Sequence, residues 1–432
     1  MLDIRFVREN AEAVQKNAQA KGYDVNINEL LKWDASKRQL QQQADMLRER
    51  RNEMSASMKG GKPSEDALRE AKIVKEELNA VEASLKEAEA TFTDLLKKVP
   101  NMALADVPVG ATEDENVVAK KVGEPKHFDF EPKSHAEIAD LRGWLDKERA
   151  AKVTGSRFAY LKGDMVMLQF ALIQFVMSKL SDQAFIDEVI RENNLNVSNK
   201  PFLPILPPFM LRTELYDAMD RLEPRDDRYK IEDEDLWLQG SAEHVLGSMH
   251  ADEIFTEADM PRRYIGYATS FRREAGTYGK DMEGTFRMHQ FDKLEMESLG
   301  LAENGLEEHL FMVAIQEKLM QLLEIPYQVL MKCTADIGKP NARGVDIEAW
   351  LPSQNTYRET HTADYMTDYQ ARRLKTRVRR ADGSIELIHT NDATALPLSR
   401  GPIAIVENHQ QADGTVHVPE VLRPYLGGRE IL

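Results

Sequence analysis

From Trp33 the apolar residues recur seven apart, at Trp33, Leu40, Leu47 and Met54, with Ala44 and Met58 in the intermediate seam positions. A seven-residue repeat draws one narrow apolar line along a helix, so this spacing predicts a single long helix. After the breaker Gly60-Gly61-Lys62-Pro63 a second seam runs through Val74, Leu78, Val81, Leu85, Ala88, Phe92 and Leu95, in alternating steps of four and three. Two helices of about thirty residues joined by a tight Gly-Pro turn run antiparallel, as an arm about 45 Å long. The alternative is two helices of a compact bundle. The arm is preferred because each seam is narrow and flanked by Lys, Arg, Glu and Gln, so that it can cover only one partner helix.

Val99-Pro100-Asn101 ends the second helix, and Pro108, Gly110 and Pro125 mark a linker. The chain is therefore read as two blocks, 1–105 and 106–432. In the second, the helical pattern from Met165 to Leu180 alternates with short runs rich in β-branched and aromatic residues, Phe202 to Leu206 and Arg263 to Ala268. Strands that meet by hairpins predict an α+β fold with an antiparallel sheet. No GxGxxG follows a strand and no GxxxxGK[ST] occurs, so neither a Rossmann nor a P-loop nucleotide site is supported.

With 432 residues and 42% hydrophobic content, the chain can bury a sizeable core. The net charge of -16 argues against a generally basic nucleic-acid coat, so charge has to be read locally. Lys37, Arg38, Arg48, Arg50 and Arg51 on the first seam helix, with Lys59 and Lys62 at its turn, form a cationic stripe that can follow a phosphate backbone. The plainer alternative is a solvated face balanced by Glu and Asp. The single cysteine, Cys333, allows no intramolecular disulfide and no thiolate cluster for zinc, which points to a reducing compartment. The start, MLDIRFVREN, has no apolar signal core and no window reaches about 20 unbroken apolar residues, so the protein is expected in the cytoplasm.

The segment from Phe271 to Glu297 concentrates the chemistry. Arg272 and Glu274 lie two apart on an expected strand, Gly276 and Gly279 open a turn, and Arg287 and Phe291 return on the other strand. Guanidinium groups fork onto phosphate and an aromatic ring can stack on a base, so this is a candidate nucleoside triphosphate grip; the alternative is an exposed salt-bridge ladder. Glu348 and Glu359, around WLPSQNTYRETHT, are candidates to hold Mg²⁺ or a substrate ammonium. Thr394 and Arg400 stand at an expected strand-to-helix junction.

In this order, these segments resemble the second and third signature motifs of class II aminoacyl-tRNA synthetases, and the chain is most similar to the seryl-tRNA synthetases among them. The similarity spans nearly the whole chain: MLDIRFVREN, the arm, VPNMALADVPVG, ERAAKVTGSRFAYLKGD from Glu148 to Asp164, FRREAGTYGKD, MHQFDKLEM, WLPSQNTYRETHT and VPEVLRPYLGG. The resemblance implies an antiparallel catalytic sheet flanked by helices, dimeric through a first motif in the region from Met165 to Pro208, and a tRNA-binding arm.

By that resemblance, Arg272 would bind the α-phosphate and the serine carboxylate, Glu274 would contact adenine and Phe291 would stack on it. Arg287 and Arg400 would hold the bent triphosphate, making Arg272, Arg287 and Arg400 the catalytic set. The ATP site would further include Arg273, Met288, Thr360, His361 and Thr362, with Glu359 positioning Mg²⁺ and no zinc. Serine would be read by Ser241, Ala242, Glu243, Arg272, Glu295 and Thr394. The implied reaction joins L-serine to tRNA(Ser) at the expense of ATP, and the resemblance extends to tRNA(Sec). Lack of room for a threonine methyl leaves no need of an editing domain.

Some positions depart from the family pattern. Ser241 stands where Thr is common, and Thr362 where Ser is usual. Arg273 replaces a small residue and Met282-Glu283 a more basic pair. Asn391-Asp392-Ala393-Thr394 is one residue out of register with Asn-Gly-Ser. Two other readings are a ligase that charges a carrier protein and a non-catalytic RNA-binding paralogue. The arm argues against the first, and the full set of charged site residues against the second.

Overall fold

The computed structural model describes residues 1–58, 64–274 and 284–432. The turn Gly60-Gly61-Lys62-Pro63 with Lys59, and Gly276, Gly279 and Met282-Glu283, lie outside the described residues. The chain divides into two compact units, Met1–Met102 and Ala103–Leu432.

In the first unit, two short helices, α1 (Ile4–Glu9) and α2 (Ala11–Ala20), precede two long ones, α3 (Ile27–Ser57) and α4 (Glu65–Lys98). Each long helix starts at a side-chain cap: Asn26 accepts the Glu29 N–H at 3.0 Å and Ser64 the Ala67 N–H at 3.2 Å. The seam is as narrow as its spacing implied. Ala44, Leu78 and Leu85 are buried, with Leu40, Leu47 and Val81 packed around them. At its end the seam departs from the expected register, because Leu96 is buried and Leu95 only partly. A straight helix turns 3.6 residues, so a step of four after Phe92 keeps the side chain on the covered side where a step of three does not.

The second unit is built on an eight-stranded sheet. Its strands are β1 (Val117–Val122), β2 (Leu203–Ile205), β3 (Arg262–Phe271), β4 (Gln290–Gly300), β5 (Tyr327–Met331), β6 (Arg343–Leu351), β7 (Thr356–Thr367) and β8 (His389–Pro397). They lie in the order β1-β5-β6-β7-β8-β4-β3-β2. Every neighbouring pair is antiparallel except β2 with β3, which run parallel. The sheet is thus antiparallel as expected but for that one pair, where the chain between β2 and β3 is long enough to cross over rather than turn back.

The two faces of this sheet differ, and that difference places the site. Along β4 the sequence alternates Lys293-Leu294-Glu295-Met296-Glu297, and successive strand residues point to opposite faces. Leu294 and Met296, with Ile347 and Ala349 of β6, Ala363 of β7 and Ala393 and Ala395 of β8, join one apolar core. The helices that contribute to that core include α5 (Asp164–Leu180), α6 (Gly305–Leu322) and α7 (Arg400–Asn408). The other face carries the charged partners of the alternation.

Candidate active site

On that polar face β4 and β8 pair Glu295 with Thr394 and Glu297 with Asp392, while β7 and β8 pair Asp364 with Asp392. Pairing between β7 and β8 begins only at Ala363 and Ala393. There the two strands part, and Gln316 of α6 donates to the carbonyls of both Thr362 and Thr394, at 2.9 and 2.8 Å. One buried amide thus stands in for the missing ladder bonds and holds the mouth of a cavity open. The bend of β7 is set by a register slip between Ile347 and Glu348, which leaves Thr360 without an opposite partner. Such an extra residue re-aims the strand, so that Glu359 faces the same cavity as Thr362 and Asp364.

The cavity collects most of the expected residues. Arg272, Glu274, Arg287, Met288, Phe291 and Arg400 line it, as do Glu359, Thr360 and Thr362, and Glu243, Glu295 and Thr394. Their local settings differ from the strand reading in one respect. β3 ends at Phe271 and β4 begins at Gln290, so Arg272, Glu274 and Arg287 stand beyond the ladder rather than on it. They are fixed individually instead. Arg272 Nε donates to the Gly240 carbonyl at 2.8 Å, and its guanidinium lies 5.3 Å from the centre of the Phe291 ring. Arg287 pairs with Glu274 at 2.7 Å, and Arg400 with Glu359 at 3.2 Å.

Of the residues expected in the ATP and serine sites, four do not line the cavity. Ala242 packs with Leu246 and Ala268, so it supports the wall from behind. His361 is buried on the opposite face of β7, with Nδ1 2.8 Å from Thr360 Oγ1, and burial pushes its pKa down to about 3. Arg273 turns away to lie 5.2 Å over Tyr229. Ser241 is covered, but its hydroxyl accepts from Lys293 Nζ at 2.8 Å, which makes it a support for a residue that does line the cavity. Around Asn391 the register is clear: Asp392 and Thr394 face the cavity, whereas Asn391 Nδ2 donates to the Gly305 carbonyl on the other side.

Sequence reading left out Lys293, Arg221, Asp364 and Asp392, all of which line the cavity. Lys293 Nζ lies 2.5 Å from Glu295 and 3.9 Å from Glu243. Arg221 reaches Asp392 at 3.3 Å and Asp364 at 3.7 Å. The alternation Lys293, Glu295, Glu297 in an otherwise apolar strand was a signal for the first; nothing local marks Arg221.

Electrostatically this is a crowded acidic pocket. Burial pushes Glu295 up to about 8 despite Lys293, and Asp392 up to about 8 despite Arg221. Glu297, fully buried beside Asp392 and Glu243, is driven well above the ordinary range. Burial works the same way on Glu243, but Lys293 and Arg221 outweigh it and hold that carboxyl far below its usual value. Glu243, Glu295 and Asp392 line this end of the cavity, and an incoming ammonium would favour release of the protons that burial keeps on Glu295 and Asp392.

At the other end, Glu359 has half its side chain open to the cavity. The cavity walls disfavour its charge, but Arg400, Lys332 and Arg272 prevail and hold it below the ordinary range. It is therefore an ionised oxygen donor. Glu348, its cross-strand partner on β6, accepts from Gln328 Nε2. Among the described residues no group of three or more Asp, Glu, His or Cys forms a metal cage. The Glu359 carboxylate, facing a cationic rim, fits Mg²⁺ brought in on phosphates, since that ion is commonly held through one or two carboxylates plus substrate oxygens.

Comparison with known proteins agrees with this geometry along the whole chain. Residues 1–103 match the model of the seryl-tRNA synthetase N-terminal domain, and residues 228–409 that of the tRNA synthetase class II core domain (G, H, P, S and T). The serine–tRNA ligase of Dictyoglomus turgidum is 39% identical over 439 residues, covering 100% of this chain and 99% of that protein. The solved seryl-tRNA synthetase of Pyrococcus horikoshii, complexed with ATP, superposes with a TM-score of 0.89 at 36% identity, covering 100% of this chain and 99% of that one. The cytoplasmic serine–tRNA ligase of Naegleria fowleri, in complex with AMP, gives 0.84 at 28% identity, covering 100% and 98%. An arm of two long helices, a largely antiparallel sheet with one polar face, and full-length similarity to these enzymes together establish that the chain belongs to the seryl-tRNA synthetase family, within class II of the aminoacyl-tRNA synthetases.

Proposed function

We propose that this chain activates L-serine with ATP to form seryl-adenylate and pyrophosphate, and then transfers serine to the 3′ end of tRNA(Ser). The observation that carries this reading is the single cavity in which Arg272, Arg287 and Arg400 stand beside the acidic cluster of Glu243 and Glu295. An amino acid brings an ammonium for the acids and a carboxylate for Arg272. ATP brings phosphates for the arginines.

Adenylation is an in-line attack of the serine carboxylate on the α-phosphorus, an encounter between anions. Arg272 bridges the two reacting groups and offsets charge on the pentacovalent oxygens, while Arg287 and Arg400 hold the triphosphate bent away as the leaving group. Phe291 and Glu274 orient adenine. Glu359 would hold Mg²⁺, which when bound neutralises phosphate charge. No protein nucleophile is needed. The serine hydroxyl is read by Glu295 and Thr394, whose side chains face each other at 3.4 Å. Alanine would leave those buried groups unpaired, which discriminates by about 10⁴ or more.

The arm, with the block 1–105, is read as the tRNA-binding domain, and 106–432 as the catalytic domain. Lys37, Arg38, Arg48, Arg50 and Arg51 are the proposed backbone contacts, and selenocysteine tRNA is a second acceptor. The protein works as a cytoplasmic homodimer, a reading supported by the exposed apolar side chains Met167 and Phe170 of α5 and Leu203 of β2. No helix among the described residues is long and apolar enough to cross a membrane.

The test is charging of total tRNA with labelled serine, ATP and Mg²⁺, with alanine and threonine in parallel, beside serine-dependent pyrophosphate exchange. Label on tRNA from serine alone is the expected result. Exchange without label on tRNA would redirect the reading to a carrier-protein acceptor, and neither activity would remove the catalytic reading.

A further inference from the structure

Arg157 lies in the link between the helix Lys147–Thr154 and the short strand Tyr160–Leu161, and no step described above uses it. Its φ is +63°, a left-handed conformation that residues with a Cβ rarely adopt. That conformation sends its side chain and its carbonyl to different places. Nη1 donates to the Glu274 carbonyl at 2.6 Å, while the Arg157 carbonyl accepts the N–H of His289 at 3.1 Å. Glu274 belongs to the segment that leaves β3, and His289 to the segment that enters β4. One residue therefore ties both.

The surroundings make the tie rigid on each side. Asp227 accepts the N–H of Arg273 at 3.1 Å through its carbonyl and that of Glu274 at 2.9 Å through its carboxylate. The peptide groups on both sides of Glu274 are thus held, N–H by Asp227 and C=O by Arg157, and its carboxylate pairs with Arg287 at 2.7 Å. On the second limb the rings of Phe158 and His289 lie 5.5 Å apart, and the His289 carbonyl accepts the N–H of Arg272 at 2.9 Å.

We propose that Arg157 is a positioning residue of the nucleotide site, holding Glu274 and the entry to β4 so that the adenine and phosphate contacts are set before ATP arrives. The inference rests on the reading of Glu274 as an adenine contact and Arg287 as a phosphate contact. A displaced contact of this kind loses affinity and selectivity for the base while serine binding, on the far side of the cavity, is unchanged.

Arg157→Asn and Arg157→Gly tolerate the left-handed backbone and remove the guanidinium, so both should fold. Serine-dependent pyrophosphate exchange with ATP and with inosine triphosphate, together with thermal unfolding, tests them. We expect KM for ATP to rise about tenfold or more, KM for serine to stay within about twofold, the preference for ATP over inosine triphosphate to shrink, and Arg157→Lys to recover part of the loss. The inference is overturned if folded variants keep wild-type KM and base preference, or if both KM values move together with the melting temperature. Absence of exchange in the wild type would instead remove the proposed reaction. Titration calorimetry of ATP against inosine triphosphate on wild type and variants then decides the role of Arg157 independently.

Discussion

Lys293 Nζ lies 2.5 Å from Glu295 Oε2 on the polar face of β4, where the two side chains share a buried pocket with Glu243. Lys293 keeps its proton, its pKa raised by Glu295 and Glu243 although burial opposes this. Glu243 is the ionised counterion, while Glu295 is pushed up to about 8 by burial.

This arrangement makes stability depend on pH in a definite direction. A carboxyl whose pKa is raised in the folded state retains a proton that the unfolded chain has released. Its contribution is complete below the unfolded value and is lost as pH rises through the folded one. For Glu295 and Asp392, both pushed up to about 8, the loss falls between the ordinary carboxylate range and pH 8. The melting temperature of the ligand-free enzyme should decline across that interval. In Glu295→Gln the decline should be shallower by about 2 °C or more, which a series of thermal melts from acid to mildly alkaline buffer checks. A variant that melts in parallel with the wild type at every pH would disprove the protonated state of Glu295.

Arg272 is held by the Gly240 carbonyl and stacked over Phe291, so its guanidinium is aimed before substrate binds. Lysine keeps the charge but not the planar fork. Arg272→Lys should lower pyrophosphate exchange by about 10²- to 10³-fold with an unchanged melting temperature. Exchange within about threefold of wild type would rule out the role assigned to the fork.

Away from the site, Arg263 is fully enclosed. It makes two bonds to Glu308, at 2.9 and 2.5 Å, and donates to the carbonyls of Ser198 and Lys200. Arg263→Met leaves a buried carboxylate without its partner and should cost about 3–5 kcal/mol in urea unfolding, whereas adding Glu308→Leu should recover much of that. A loss below about 1 kcal/mol in the single variant would show that the pair is not truly desolvated.

The proposed tRNA contacts of the arm can be tested one arginine at a time. Arg48 bridges to Glu82 at 2.9 Å and Arg50 to Glu70 at 2.5 Å, so both arginines also link α3 to α4; Arg51 makes its bond to Asn52, its neighbour on the same helix. Arg51→Ala should therefore raise KM for tRNA without loosening the arm, and lower the slope of log KM against log salt by up to about one unit. Pyrophosphate exchange should not change. Identical salt dependence in variant and wild type would remove Arg51 from the interface.

Much of this protein was legible in order along the chain. Heptad spacing specifies the two arm helices because a coiled-coil seam is a local pattern that one partner satisfies, and only the last position, Leu96 in place of Leu95, needed the structure. The charged residues of the site were also recognisable, since Arg272, Glu274, Arg287, Glu295, Glu359 and Arg400 all line one cavity.

What tertiary structure alone decided were relationships between distant segments. Arg221 meets Asp364 and Asp392 only because the fold brings a connecting segment onto the sheet, joining residues more than a hundred positions apart. His361 lies within the right motif but points elsewhere, because strand alternation and the slip beside Glu348 set which side chains of β7 face the cavity, while Ala242 and Arg273, outside the sheet, pack against Leu246 and Ala268 and over Tyr229. The chemistry of a residue is carried by its identity and can be read locally. The direction of its side chain and the charge state of a buried acid depend on everything packed around it, and those are properties of the folded chain.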